Sequence, residues 1–126
     1  FDPRDLDAAG VNAVAGPAHL AAARDAVSRV AISPEVLAYM VDLCRATRTS
    51  PAVQHGASPR GATALLASSR ALAWLHGRAF VTPDDVKAIA VAALHHRLQL
   101  RPEAELDGVT GAGVMASLLA SVPVPV

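Results

Sequence analysis

The stretch Gly56-Ala57-Ser58-Pro59-Arg60-Gly61 is where residue types and spacing could do chemistry. Proline suits the first position of a helix, and serine directly before it is an acceptable N-cap. Arg60 then falls in the first helical turn. A helix N-terminus already carries about half a positive charge, so a cation there is electrostatically misplaced unless an anion shares the site. First-turn backbone N–H groups and a guanidinium fork together make an anion-binding set. The plainer alternatives are an arginine pointing into solvent, or one paired with Asp84 or Asp85.

The other chemistry-bearing residues point to structural roles. The five histidines are His19, His55, His76, His95 and His96. Adjacent His95 and His96 point about 100° apart on a helix and cannot share a face, so polar positions near helix ends are expected rather than a metal site. No H-E-x-x-H, no G-x-S-x-G and no G-x-x-x-x-G-K-[ST] phosphate loop occurs. Cys44 is the single cysteine. It excludes an internal disulfide and a cysteine-based zinc site, and it lies in an apolar stripe where it reads as a small core residue. Arg45 and Arg48 are three apart and share a helix face. A solvated surface or a contact with a neighbouring subunit would both suit them, and Arg70 invites the same question.

The elements that must position these residues are announced by prolines. Pro17, Pro34, Pro59 and Pro83 follow Gly16, Ser33, Ser58 and Thr82, each pair an N-cap followed by a first helical residue. Helices are expected over 17–30, 34–47, 59–76 and 83–95, with a weaker fifth over 111–120. Apolar spacing puts Leu20, Ala23, Val27 and Val30 on the inner face of the first. It puts Val36, Leu37, Met40, Val41, Leu43 and Cys44 in a broad stripe on the second. Leu65, Leu72 and Leu75, with Trp74 beside them, are the expected core face of the third, and Gly77 its C′ residue. Val86, Ile89, Ala90 and Ala93 serve the fourth; Val114, Leu118 and Met115 serve the fifth. The alternation Arg97-Leu98-Gln99-Leu100-Arg101 predicts a short extended segment. The fold class is all-α, a small bundle of four to five helices.

Composition agrees. Of 126 residues, 28 are alanine, the strongest helix former, and aromatics are only 3%, too few for a sandwich core or a base-stacking platform. Hydrophobic residues at 52% exclude a disordered chain. Eleven basic residues balance eleven acidic ones, which argues against coating nucleic acid. Every apolar run is interrupted well before the ~20 residues of a membrane span. One cysteine and no signal peptide suit a reducing cytoplasm. The chain opens on Phe1 rather than Met and is expected to be a piece of a longer protein. Residues 1–16 read as a linker from an upstream domain, 17–121 as the helical domain, and 122–126, with Pro123 and Pro125, as a flexible tail.

His55-Gly56-Ala57-Ser58-Pro59-Arg60 resembles the sensor 2 motif of AAA+ ATPases, in the spelling of the MoxR family. Val41-Asp42-Leu43 and Ala46-Thr47-Arg48 are similar to the stretch that precedes that motif. Residues 71–87, ALAWLHGRAFVTPDDVK, resemble the family's segment after it, and His96-Arg97-Leu98 its later "HR" plus aliphatic. The resemblance runs through residues 17–101 in order. Gly61 stands where alanine is more usual, and His55 where an aliphatic is common. The resemblance implies the C-terminal lid of a MoxR-type AAA+ ATPase. The lid would close over ATP, whose magnesium the absent core domain would hold, with Arg60 as the catalytic sensor and Gly56, Ser58 and Pro59 beside it at the nucleotide. It implies the chain's own AAA+ core domain as partner, a homo-hexameric ring, von Willebrand A-domain partner proteins, and chaperone-like remodelling or maturation of clients. It implies neither nucleic-acid binding nor membrane insertion. Walker A, Walker B, sensor 1 and an arginine finger are absent from these residues, so the chain alone is expected not to hydrolyse ATP. Two other classes fit a small helical domain: a protein-interaction or adaptor module without nucleotide, and a helix-turn-helix DNA-binding module built from the helices at 59–76 and 83–95, which lack a basic face.

Overall fold

The computed structural model describes residues 2 and 4–125; Phe1, Pro3 and Val126, at the ends of the expected linker and tail, lie outside the described residues. Four helices begin at the prolines that announced them: α1 (Pro17–Ser28), α2 (Pro34–Thr49), α3 (Pro59–Leu75) and α4 (Pro83–Leu94). Two shorter ones follow, α5 (Pro102–Leu106) and α6 (Gly111–Ser121). Two short strands, β1 (Val53–His55) and β2 (Gln99–Leu100), pair antiparallel. The architecture is the expected small helical bundle. Of the extended segment expected at 97–101, Gln99–Leu100 form β2, while Arg97 closes a 3₁₀ turn over His95–Arg97; the partner strand β1 and the short α5 are additions to what the periodicity shows.

Caps explain the starts. The Ser33 hydroxyl accepts the Val36 N–H at 3.3 Å, and Thr110 Oγ1 accepts the Gly113 N–H at 3.0 Å. Thr82 and Asp85 cap each other: the Asp85 carboxylate accepts the Thr82 N–H at 2.8 Å, and Thr82 Oγ1 accepts the Asp85 N–H at 3.3 Å. At Gly16, which has no side chain to offer, His19 Nδ1 accepts the Gly16 N–H at 3.0 Å. Gly77 ends α3 with φ of 72°, the left-handed C′ conformation that glycine adopts without strain.

α3 is the central rod. It packs most extensively on α4 and also touches α1 and α2, while α2 and α4 both reach α6. The main core joins Met40 and Leu43 of α2, Leu65 of α3, Val86 and Leu94 of α4, and Met115 of α6. A smaller cluster of Val53, Leu100 and Val114 lies under the two-stranded sheet. Cys44 is buried in the main core, as its stripe implied, and burial pushes its thiol pKa up against the opposing pull of Arg48. Between α1 and α2, Ala31 bridges the chain after α3: its N–H donates to the Ala79 carbonyl at 2.8 Å, and its carbonyl accepts the Val81 N–H at 3.0 Å.

The buried faces depart from the apolar spacing in three places. Leu75 is 71% exposed and Trp74 39% exposed, so neither anchors α3. The buried line on that helix is Gly61, Leu65, Ser69 and Ala73. Leu75 lies ten residues from Leu65, about 80° around the helix, and small residues on the true line let α4 approach closely. On α2, Leu37 and Val41 are exposed while Tyr39 is buried. On α1 no residue is fully buried, and Leu20 is exposed. Residues 4–15 are exposed throughout. In consequence the chain exposes 8131 Å², about 30% more than the ~6,300 Å² of a compact protein of its mass.

The far end of α3 is fixed by an ion pair. Arg78, just past Gly77, donates through both Nη atoms to the Asp85 carboxylate, at 2.6 and 2.5 Å. Asp85 is buried and also accepts from the Thr82 hydroxyl at 2.9 Å. The Arg78 guanidinium first, and the Thr82 bonds second, hold the Asp85 carboxyl down to about 2. Because this folded value lies below the unfolded one, the pair's contribution is full above about pH 4 and is lost as pH falls towards 2. Asp85→Asn should lower stability at pH 7 by about 2 kcal/mol and flatten the acid limb between pH 4 and 2, measured by denaturant unfolding across pH. In the same assay Leu65→Ala should cost about 2–4 kcal/mol, whereas Leu75→Ala should stay within about 0.5 kcal/mol. A large loss at Leu75 would contradict the exposed placement.

Candidate functional site

The loop between β1 and α3 is held from below by the last turn of α2. Thr47 is fully buried; its hydroxyl donates to the Cys44 carbonyl at 2.7 Å and accepts the Ala57 N–H at 2.8 Å. Arg48 Nε–H donates to the Ala57 carbonyl at 2.9 Å. Both backbone groups of the buried Ala57 are therefore taken by two consecutive side chains. Gly56 makes this approach possible. A Cβ there would stand 2.7 Å from the Arg48 backbone nitrogen and 2.7 Å from Thr47 Oγ1, distances that no side chain tolerates.

α3 begins two residues after this clamp. Ser58 occupies the N-cap position, but its hydroxyl accepts no bond from the first turn, which corrects the expectation that it caps. Its backbone carbonyl instead accepts the Gly61 N–H at 2.8 Å and the Ala62 N–H at 3.3 Å. Pro59 contributes no N–H. Gly61 packs tightly: a Cβ there would stand 3.3 Å from both the Ala57 Cβ and a Leu94 methyl. The glycine in the place of the more usual alanine thus sits at a close contact.

Arg60 projects from this turn as an exposed residue. Its carbonyl accepts from the Thr63 hydroxyl at 3.0 Å. The two acids that could have neutralised it are engaged elsewhere, Asp85 by Arg78 and Asp84 by Lys87 at 3.7 Å. Beside the turn runs an open groove of about 420 Å³, lined by Arg48 and residues 54–59. A second hollow of about 290 Å³, lined by Val41, Cys44, Arg45, Arg48, Pro59 and Ala62, adjoins it through Arg48 and Pro59. The structure thus brings Gly56, Ser58 and Pro59 to one groove, with Arg60 at its helical end outside the lining. Arg45 shares the helix face with Arg48 but makes only a 3.7 Å surface pair with Asp42.

The residues that sequence reasoning underrated are Thr47 and Arg48. The signal was present in the Ala46-Thr47-Arg48 stretch, but nothing in its spacing shows that it holds a loop ten residues onward. The histidines stand apart from the site, except for His55 in the groove wall. Among the described residues no three His, Cys, Asp or Glu side chains come together as a metal site, and no helix is long and apolar enough to cross a membrane.

Residues 45–118 match the family described as AAA lid domain. Among curated proteins, the chain is 38% identical over 100 residues to the uncharacterized protein YeaC of Bacillus subtilis, covering 79% of this chain and 31% of that one. It is 34% identical over 108 residues to protein MoxR of Paracoccus denitrificans, with 74% and 32% covered. It is 37% identical over 73 residues to chaperone MoxR1 of Mycobacterium tuberculosis, with 58% and 19% covered. A crystal structure from Cytophaga hutchinsonii, provisionally designated an ATPase, superposes with a TM-score of 0.78 at 29% identity, over 81% of this chain and 34% of that one. The chain thus spans about a third or less of the length of these relatives. With the family match over most of the bundle, the same helical fold in a solved relative and MoxR proteins among its curated relatives, the chain belongs to the AAA lid domain family, in its MoxR-type branch.

Proposed function

We propose that this domain is the nucleotide-sensing lid of a MoxR-type AAA+ ATPase, with Arg60 as the sensor 2 arginine. The observation that carries the reading is the state of Arg60: an exposed guanidinium with no carboxylate partner among the described ion pairs, on a helix start whose N-cap hydroxyl is idle, beside an open groove. The guanidinium fork fits a phosphate, and it carries the reading more than the first-turn amides do, since Pro59 has no N–H and those of Gly61 and Ala62 bond the Ser58 carbonyl. ATP would supply that phosphate, with its magnesium held by an α/β core domain that this chain does not include. Gly56, Ser58 and Pro59 would form the near wall of the nucleotide groove, and Arg60 would donate to a phosphate oxygen on which charge develops during transfer. Loss of that phosphate would remove Arg60's partner, so the angle between lid and core could follow nucleotide state.

On this reading residues 1–16 link the lid to its core domain, 17–121 form the lid and 122–126 a tail. The exposed apolar side chains of Leu20, Leu75 and Phe80 offer contact area to the core domain or to a neighbouring subunit. A hexameric ring, von Willebrand A-domain partners, a cytoplasmic setting, and remodelling or maturation of client proteins belong to the same reading. The name of the chaperone MoxR1 among the relatives supports the last of these. In the full-length ATPase, Arg60→Ala should lower the hydrolysis rate at least tenfold, on the order of what is lost with one transition-state donor. Arg60→Lys should restore only part, because it keeps the charge without the planar fork. The circular dichroism and melting of the domain should be unchanged by either substitution. A wild-type hydrolysis rate for Arg60→Ala would refute the sensor assignment.

A further inference from the structure

We infer that Arg48, with Thr47, is a positioning residue for Arg60: the last turn of α2 holds the Ala57 peptide groups and thereby sets where the first turn of α3 presents its arginine. The inference rests on the sensor reading of Arg60 and extends it to the two side chains that hold the loop in front of it. Its basis is geometric. Ala57 is wholly buried, its N–H donates to Thr47 Oγ1 at 2.8 Å, and its carbonyl accepts from Arg48 Nε at 2.9 Å. The Gly56 backbone lies so close to Arg48 that even a methyl group is excluded. The Ala57 Cβ in turn is what Gly61 packs against, so movement at Ala57 passes directly into the turn that carries Arg60.

The rest of α3 does not depend on this clamp. Leu65, Ser69 and Ala73 are buried along the line that faces α4, and the Arg78–Asp85 pair holds the far end. Loss of Arg48 should therefore free the first turn and leave the bundle folded. A helix-end arginine that merely complements the dipole of α2 would not have this effect.

Two measurements separate the possibilities. In the 126-residue chain, Arg48→Ala should speed amide hydrogen exchange at Gly61, whose N–H closes the first turn of α3 on the Ser58 carbonyl, by about tenfold or more, with exchange at Leu65 and the circular dichroism unchanged. Thr47→Ser, which keeps the hydroxyl, should stay near the wild-type exchange rate. Unchanged exchange at Gly61 in Arg48→Ala would overturn the inference. In the full-length ATPase, Arg48→Ala should lower hydrolysis about tenfold when Arg60 is present and less than about twofold in the Arg60→Ala background, because a positioning residue has nothing left to position. If the two losses multiply, Arg48 does not act through Arg60 and the inference fails while the sensor reading stands. If Arg60→Ala alone hydrolyses ATP at the wild-type rate, the sensor reading fails and takes this inference with it.

Discussion

The junction of α2 with the start of α3 depends on two peptide groups that cannot reach water. Ala57 is buried, so its N–H and carbonyl must find partners inside the protein. Thr47 and Arg48 provide both. This obligation brings α2 against the β1–α3 loop, requires glycine at position 56, and starts α3 with its first turn pressed on Ala57 and Leu94. The groove beside the turn follows from the same geometry, since its walls are the clamp and the loop that it holds. A site with a cation on a helix start needs such support, because neither the dipole nor the exposed side chain holds itself in place.

The other end of α3 is managed differently. Gly77 turns the chain, and Arg78 reaches the buried Asp85 at the start of α4. Asp85 does two tasks with one carboxylate, completing the α4 capping box and neutralising Arg78. Burying one acid is tolerable because the guanidinium and the Thr82 groups satisfy it. This ion pair lies at the opposite end of α3 from Arg60.

Between its two fixed ends, α3 buries a line of small or medium side chains rather than a leucine ladder. Gly61, Ser69 and Ala73 permit a close approach to α4, and Leu65 supplies the bulk. The larger apolar groups of the last turn, Trp74 and Leu75, stay outside. Together with exposed Leu20 and Phe80, they give the domain more apolar surface than its own folding uses, which suits a module spanning about a third of its MoxR relative.

Sequence alone determined the helix starts, the fold class and the position of Arg60, because these are local. A proline after a capping residue acts within one turn, and an arginine two residues into a helix is misplaced whatever surrounds it. The Ala46-Thr47-Arg48 and His55–Arg60 stretches also carried the family resemblance. Only the tertiary structure decided which face of each helix is buried. Apolar spacing ranks residues by hydrophobicity, whereas burial depends on where the neighbouring helix crosses, so Leu75 and Leu37 came out exposed and Ser69 and Tyr39 buried. The strand β1 was likewise invisible, since three residues become a strand only when β2 pairs with them across more than forty positions. The clamp on Ala57 belongs to the same class: its partners lie nine and ten residues apart, and only the fold makes them neighbours.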